Sequence, residues 1–201
     1  MTGGDKRAGG ISAAELMAQL AQDREFQETA AKREAERQQR AAKWREAQRP
    51  ILEDLHDRGI AVDSVWDLVN TSDPYPTALP VLLEHLERGG YPDRVLEGVA
   101  RAMAVAPAAV HWDRLRDLYL RAEGPDATEG LAAALAASAR PEHLDDLIVL
   151  LDETSRGSTR IHFIRPILTV GDARGRAVVE GLRDHPVFGK EAKALLKQRR
   201  K

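Results

Sequence analysis

The chain has 201 residues, enough for one domain with a core and an appendage, and its 43% apolar content includes only 4% aromatics. Its 31% charged residues and net charge of −2 exclude a wholesale nucleic-acid or membrane bias, and the lack of Cys excludes disulfides, thiolate catalysis and Cys-ligated zinc. No apolar run approaches the roughly 18 residues that cross a bilayer, and residues 1–10 precede no apolar signal segment, so a cytoplasmic protein is expected.

Residues 1–10 contain four glycines and are expected to form a disordered lead. Ser12 and Glu15 then have the capping-box spacing of a helix start. From 11 to 49 the chain has neither Gly nor Pro and is rich in Ala, Glu, Gln, Arg and Lys, which predicts a long charged helical arm. Helical throughout, that run extends for roughly 58 Å. A coiled coil is excluded, because the seam that starts at Leu16 and Leu20 continues on Asp23, Gln27 and Ala30. Large apolar residues occur only near the ends, Leu16, Met17, Leu20 and Phe26 and then Trp44. The arm is therefore expected to be solvated and anchored at its C-terminal end, with docking of its 16–26 tip on a partner as the alternative.

Residues 50–74 are expected to form a short helical cap. Pro50 suits a first helical turn, Ile51, Leu52 and Leu55 supply an apolar face, and Gly59 ends it. Asp63 or Ser64 then caps a helix through Val65, Trp66 and Leu68, and the cluster from Asn70 to Pro74 is a turn.

A unit of helix pairs recurs through 75–201. Glu97-Gly98-Val99-Ala100-Arg101-Ala102-Met103-Ala104 is echoed 32 positions on by Glu129-Gly130-Leu131-Ala132-Ala133-Ala134-Leu135-Ala136. A looser echo, 33 positions further, starts at Phe163. Four outer helices carry i, i+3, i+4, i+7 stripes: Leu79/Leu82/Leu83/Leu86, Leu115/Leu118/Tyr119/Ala122, Leu144/Leu147/Ile148/Leu151 and Gly175/Val178/Val179/Leu182. Their partners carry Val99/Ala102/Met103, Leu131/Ala134/Leu135, Ile164/Ile167/Leu168 and Leu195/Leu196. Gly98 and Gly130 fall mid-helix at one repeat position, which points to close helix approach. The expected fold is all-α, an α-solenoid of about four helix pairs behind the arm and cap.

Helix pairs of this period, with Pro80 in the first outer helix and the Arg94…Gly98-Val99-Ala100-Arg101-Ala102-Met103 pattern in its partner, resemble the HEAT repeats of small bacterial α-solenoid proteins. The third pair departs from the pattern through Pro166, and the fourth is short. The resemblance implies that the second helices line a concave surface that binds a partner.

Chemistry is poorly represented. The six histidines lie in separate segments, none at helical metal-site spacing, so no metal or other cofactor is expected. Asp145-Asp146 and Asp152-Glu153 belong to a solvated face, and no Gly-rich phosphate loop or nucleophile constellation occurs. Subtracting the apolar stripe leaves an exposed row on the second helices, Arg94, Glu97 and Arg101, then Asp126 and Glu129, then His162. Its mixed charge suits a protein partner or a merely solvated surface. Charge is also segregated: residues 1–74 carry −3, 75–155 carry −7 and 156–201 carry +8. The basic end includes Arg160, Arg165, Lys190, Lys193 and Lys197, which a phosphate backbone favours but which also suit a solvated terminus. The expected function is a non-catalytic adaptor for another protein. The alternative is nucleic-acid binding through the basic end, with Trp112-Asp113 giving a resemblance to HEAT-like DNA glycosylases.

Overall fold

The computed structural model describes residues 12–198, apart from some side chains before residue 25. The expectations for 1–11, for the Glu15 and Leu20 side chains and for Arg199, Arg200 and Lys201 lie outside the described residues. The described residues are helical or in turns, with no strand among them, so the protein is all-α. It divides into two compact units, residues 1–43 and 44–201.

In the first unit the expected single run from 11 to 49 is interrupted. Helix α1 spans Ala13–Gln22 and α2 spans Arg24–Ala47. Between them Asp23 stands outside the helices, and its Oδ1 accepts from the Phe26 amide at 3.1 Å. A short acceptor side chain competes with the helical ladder and starts a new helix instead. No described side chain between 12 and 43 is buried. Glu34 accepts from Arg37 and from Gln38, so local pairs stabilise a stretch that has no apolar face.

The second unit opens with Trp44 and Ala47 packed on the core, and then α3, Arg49–Asp57, with Pro50 in its first turn. The helix breaks at Gln48 because Pro50 has no N–H to continue the ladder, and the Gln48 side chain ties the break to the helix after α3. Its buried Oε1 accepts from the Val65 amide at 3.1 Å and from Ser64 Oγ at 3.2 Å. Gly59, at φ +79°, turns the chain out of α3. Ser64 caps α4, Val65–Asn70, and the Asp67 carboxylate accepts from the Ser64 amide in a capping box.

Then follow α5 Ala78–Arg88, α6 Asp93–Ala102, α7 Trp112–Arg121, α8 Pro125–Ser138, α9 Leu144–Asp152, α10 Ile164–Val170, α11 Asp172–Gly181 and α12 Gly189–Gln198. Short 3-10 segments precede α7 and α9, and a longer one, Thr154–Phe163, broken at Gly157, leads into α10. The stripes read from the sequence face one continuous core that includes Leu82, Leu83, Val99, Leu115, Tyr119, Leu135, Leu147, Ile167 and Leu195, joined by Phe163, while Leu118, Ala122, Leu144, Ile148, Val178 and Leu182 are half-buried against it. Burial of each such side chain contributes about 1.5–3 kcal/mol.

The contacts run in sequence. Helix α5 packs on α6, α7 on α8, α9 on α10 and α11 on α12. Helix α6 lies between α4 and α8, and α8 then meets the 154–163 segment. Two glycines permit the close approaches. A Cβ on Gly98 would lie 2.8 Å from Val65 Cγ2, and one on Gly130 would lie 2.8 Å from the Glu97 carbonyl oxygen. Asp93 adds a cross-helix cap, with Oδ2 and Oδ1 accepting from the Asp126 and Ala127 amides at 2.8 and 2.9 Å. A Cβ on Gly124 would overlap that carboxylate.

Candidate functional site

The i, i+3, i+7 register of α6 places Arg94, Glu97, Arg101 and, just past its end, Ala104 on one face. The corresponding face of α8 carries Asp126, Glu129, Ala133, Ala136 and Ala137. Five of the six residues of the sequence-derived row join into one ladder. The Arg94 guanidinium lies 4.6 Å above the Trp66 ring and pairs with Glu97. Glu97 Oε1 also accepts from Arg101 Nε at 2.7 Å. The other side of the Arg101 guanidinium is 3.8 Å from Glu129 Oε1, which in turn lies 2.7 Å from His162 Nε2. His162 therefore holds its proton on that nitrogen.

Glu97 is the correction. Taken as exposed because it is charged, it exposes only 6% of its side chain. It tolerates burial because two arginines bond it. Asp126 stands outside the ladder, where it lines a depression with Ser155, Gly157, Ser158 and Thr159.

Beyond the ladder the same side of the molecule becomes apolar. Ala104, Ala133, Ala136, Ala137 and Ala139 floor a groove of about 750 Å³, walled by Ile161, His162, Arg165, Pro166, Thr169 and Val170, with Glu191 of α12 at its edge. Ile161 is exposed, and so is Arg165. Subtracting apolar residues from the second helices had removed these alanines from view.

The basic end is not one surface. Arg160 turns inward: its guanidinium donates to the Leu151 carbonyl at 2.7 Å and lies over the Phe188 ring at 5.0 Å. Arg156 likewise donates to the Tyr119 and Ala122 carbonyls at the end of α7. Both satisfy helix C-termini, an arrangement that favours cations. Arg165 belongs to the groove, and Lys190, Lys193 and Lys197 are exposed on α12, Lys193 lying 3.3 Å from Asp184.

Trp112 is buried rather than offered to a ligand. Its Nε1 donates to Asp146 Oδ2 at 2.7 Å, and its ring stacks on His143. Burial, the largest effect, lowers the pKa of His143 below its ordinary value.

One polar cluster was missed by the sequence reading, because its members come from α3, α5 and the turn before α6. His85 is 1% exposed, with Nδ1 2.6 Å from the Tyr91 hydroxyl. Asp54 Oδ2 lies 2.9 Å from Nε2 but out of line for a hydrogen bond. Burial, with help from Arg88 and against Asp54, lowers the His85 pKa. The cluster ties α3 to α5.

No group of three or more metal-ligating side chains occurs among the described residues, and none of their helices is long and apolar enough to cross a membrane. In comparisons with protein families, curated proteins and solved structures, nothing matches the chain.

Proposed function

We propose that this chain is a non-catalytic adaptor, a cytoplasmic α-solenoid of HEAT-like helix pairs that presents its second helices to another protein. The pairs are α5/α6, α7/α8, α9/α10 and α11/α12. The observation that carries the reading is the ladder from Arg94 to His162. The second helices α6 and α8 and the segment that leads into α10 all contribute to it, and it runs directly into an apolar groove. Interaction surfaces combine these features, an apolar patch beside fixed polar groups. The ladder's carboxylates are held by arginines and by His162 rather than poised beside a nucleophile, which favours binding over chemistry.

Nucleic-acid binding through Arg160, Arg165, Lys190, Lys193 and Lys197 has less support, since Arg160 is committed to a helix end and Trp112 is covered. The test is an affinity pull-down with mass spectrometry, with and without nuclease, comparing the full chain with Arg101→Glu. A protein partner that survives nuclease and is lost with the variant is expected. Recovery of partners only through nucleic acid, or equal recovery by a folded variant, would sink the reading. A gel-shift assay at about 0.15 M salt should find no sub-micromolar oligonucleotide complex, because charges more than roughly 8 Å apart are screened there and no aromatic platform was found beside the lysines.

A further inference from the structure

We infer that the groove at the α8 end of this face takes an amphipathic α-helix of a partner protein, which lays an aliphatic stripe on the alanines and sets a carboxylate against Arg165. The inference rests on the adaptor reading and narrows it to one end of the face and one kind of ligand.

The first observation is that the groove is apolar although it is open. At the position where α6 carries Arg101, α8 carries Ala133, so the charged part of the face stops there. Helix α8 places Ala133, Ala136 and Ala137 there, and the neighbouring wall adds Ile161, Pro166 and Val170. A helix that is apolar on nearly every side is normally covered on every side.

Shape selects the occupant. The floor carries no side chain longer than a methyl group, so the backbone of a second helix can come close, and the walls are themselves helical segments. A polar small molecule would need several convergent donors and acceptors, whereas of the groove's polar side chains His162 already holds Glu129 and Thr169 donates to the Arg165 carbonyl, which leaves Arg165 and Glu191. Capture of a peptide by strand addition would need a sheet edge, and the described residues contain no strand.

Charge then sets the register. Glu129 takes His162, but no ion pair engages the exposed Arg165 or the half-buried Glu191 among the described residues. A helix with an Asp or Glu facing Arg165 and a Lys or Arg facing Glu191 completes both. Nucleic acid fits poorly, since Glu191 repels phosphate and no Phe, Tyr or Trp lines the groove among the described residues.

The experiment selects a phage-displayed single-helix library, with its i, i+3, i+4 and i+7 positions and flanks randomised, on the full chain. The best clone is then made as a synthetic peptide. Enriched clones should share an aliphatic stripe and a flanking acid. Ala136→Trp, which fills the groove, should weaken the peptide about tenfold or more. Arg165→Glu should do the same, and a peptide with Lys in place of the acid should recover binding to that variant. Circular dichroism melts establish that both variants fold.

No enrichment, or binding that withstands both changes, overturns the proposal. Peptides lost with Arg101→Glu but kept by Ala136→Trp also overturn it, and they leave the adaptor reading standing on the ladder. Light scattering that shows a dimer broken by Ala136→Trp would make the occupant a second copy, which overturns the partner form as well.

Discussion

Helices α2 and α8 are both rich in strong helix formers, yet they differ in everything that follows from packing. Helix α2 is built from Ala, Glu, Gln and Arg, and none of its described side chains up to Lys43 is buried. Helix α8 buries Ala127, Thr128, Gly130, Leu131, Ala132, Ala134, Leu135 and Ser138 between its neighbours. Propensity supports a helix in both places at a few tenths of a kcal/mol per residue. Helix α8 adds tertiary burial and α2 up to Lys43 does not, so substitutions should be severe in one and nearly silent in that part of the other.

The largest effect is expected at Gly130. Its missing Cβ faces the Glu97 carbonyl oxygen at 2.8 Å and Ala100 Cβ at 2.9 Å, so a backbone must move to admit a side chain. Gly130→Leu should cost about 3 kcal/mol in urea melts, at the upper end for overpacking. Gly98→Leu should cost less, roughly 1–3 kcal/mol, because it meets the side chains of Val65 and Trp66, which can turn. Equal costs would mean that α6 moves as easily as a rotamer.

A charge pair sharpens the same contrast. Glu97→Ala leaves two arginines facing each other over a nearly buried position, and should cost about 1–3 kcal/mol because both retain some access to water. Glu34→Ala on α2 removes an exposed i,i+3 pair and should stay within about 0.5 kcal/mol. A neutral Glu97→Ala would show that the ladder merely decorates the surface.

Much of this contrast was legible beforehand. The Leu79/Leu82/Leu83/Leu86 stripe and its successors became helices in the expected order, and Ser64 and Pro50 did what their types favour. The break before Pro50 was legible from that residue, whereas the break at Asp23 was not, since it depends on one side chain finding a backbone amide. Most of the ladder was visible because helical register alone assembles it. Its burial at Glu97 was hidden, because charge was equated with exposure. The groove was hidden for the opposite reason, because alanine was equated with core. Arg160 shows a third limit: a long cation can turn back to a helix end rather than face a polyanion.

Protonation should separate the units as well. His85, His111 and His143 have pKa values lowered chiefly by burial, all in the second unit. Between each lowered value and the ordinary 6.5, the unfolded chain binds more protons than the folded one. Their contribution is therefore full above about pH 6.5 and is lost as pH falls through the folded values. Glu87, held low by the Arg114 hydrogen bond, adds a further loss below its ordinary 4.5. Urea midpoints should fall from pH 7.5 to pH 5.5, and His85→Phe should flatten the fall. A midpoint that rises on acidification would reverse the assignment.

A small effect is also expected from removing residues 1–40. That cut keeps Trp44, Ala47 and Gln48, which pack on the core or bond Val65, and discards side chains of which none described is buried. The lost stabilisation is then confined to local helix pairs such as Glu34–Arg37, whose disappearance affects only the segment that contained them. The melting temperature should change by no more than a few degrees, an effect of about 1 kcal/mol or less. The slope of stability with pH should be unchanged, because the three histidines with lowered pKa values remain. A truncated chain that is insoluble, or that melts much lower, would show that the first unit stabilises the fold through contacts its exposed side chains do not suggest.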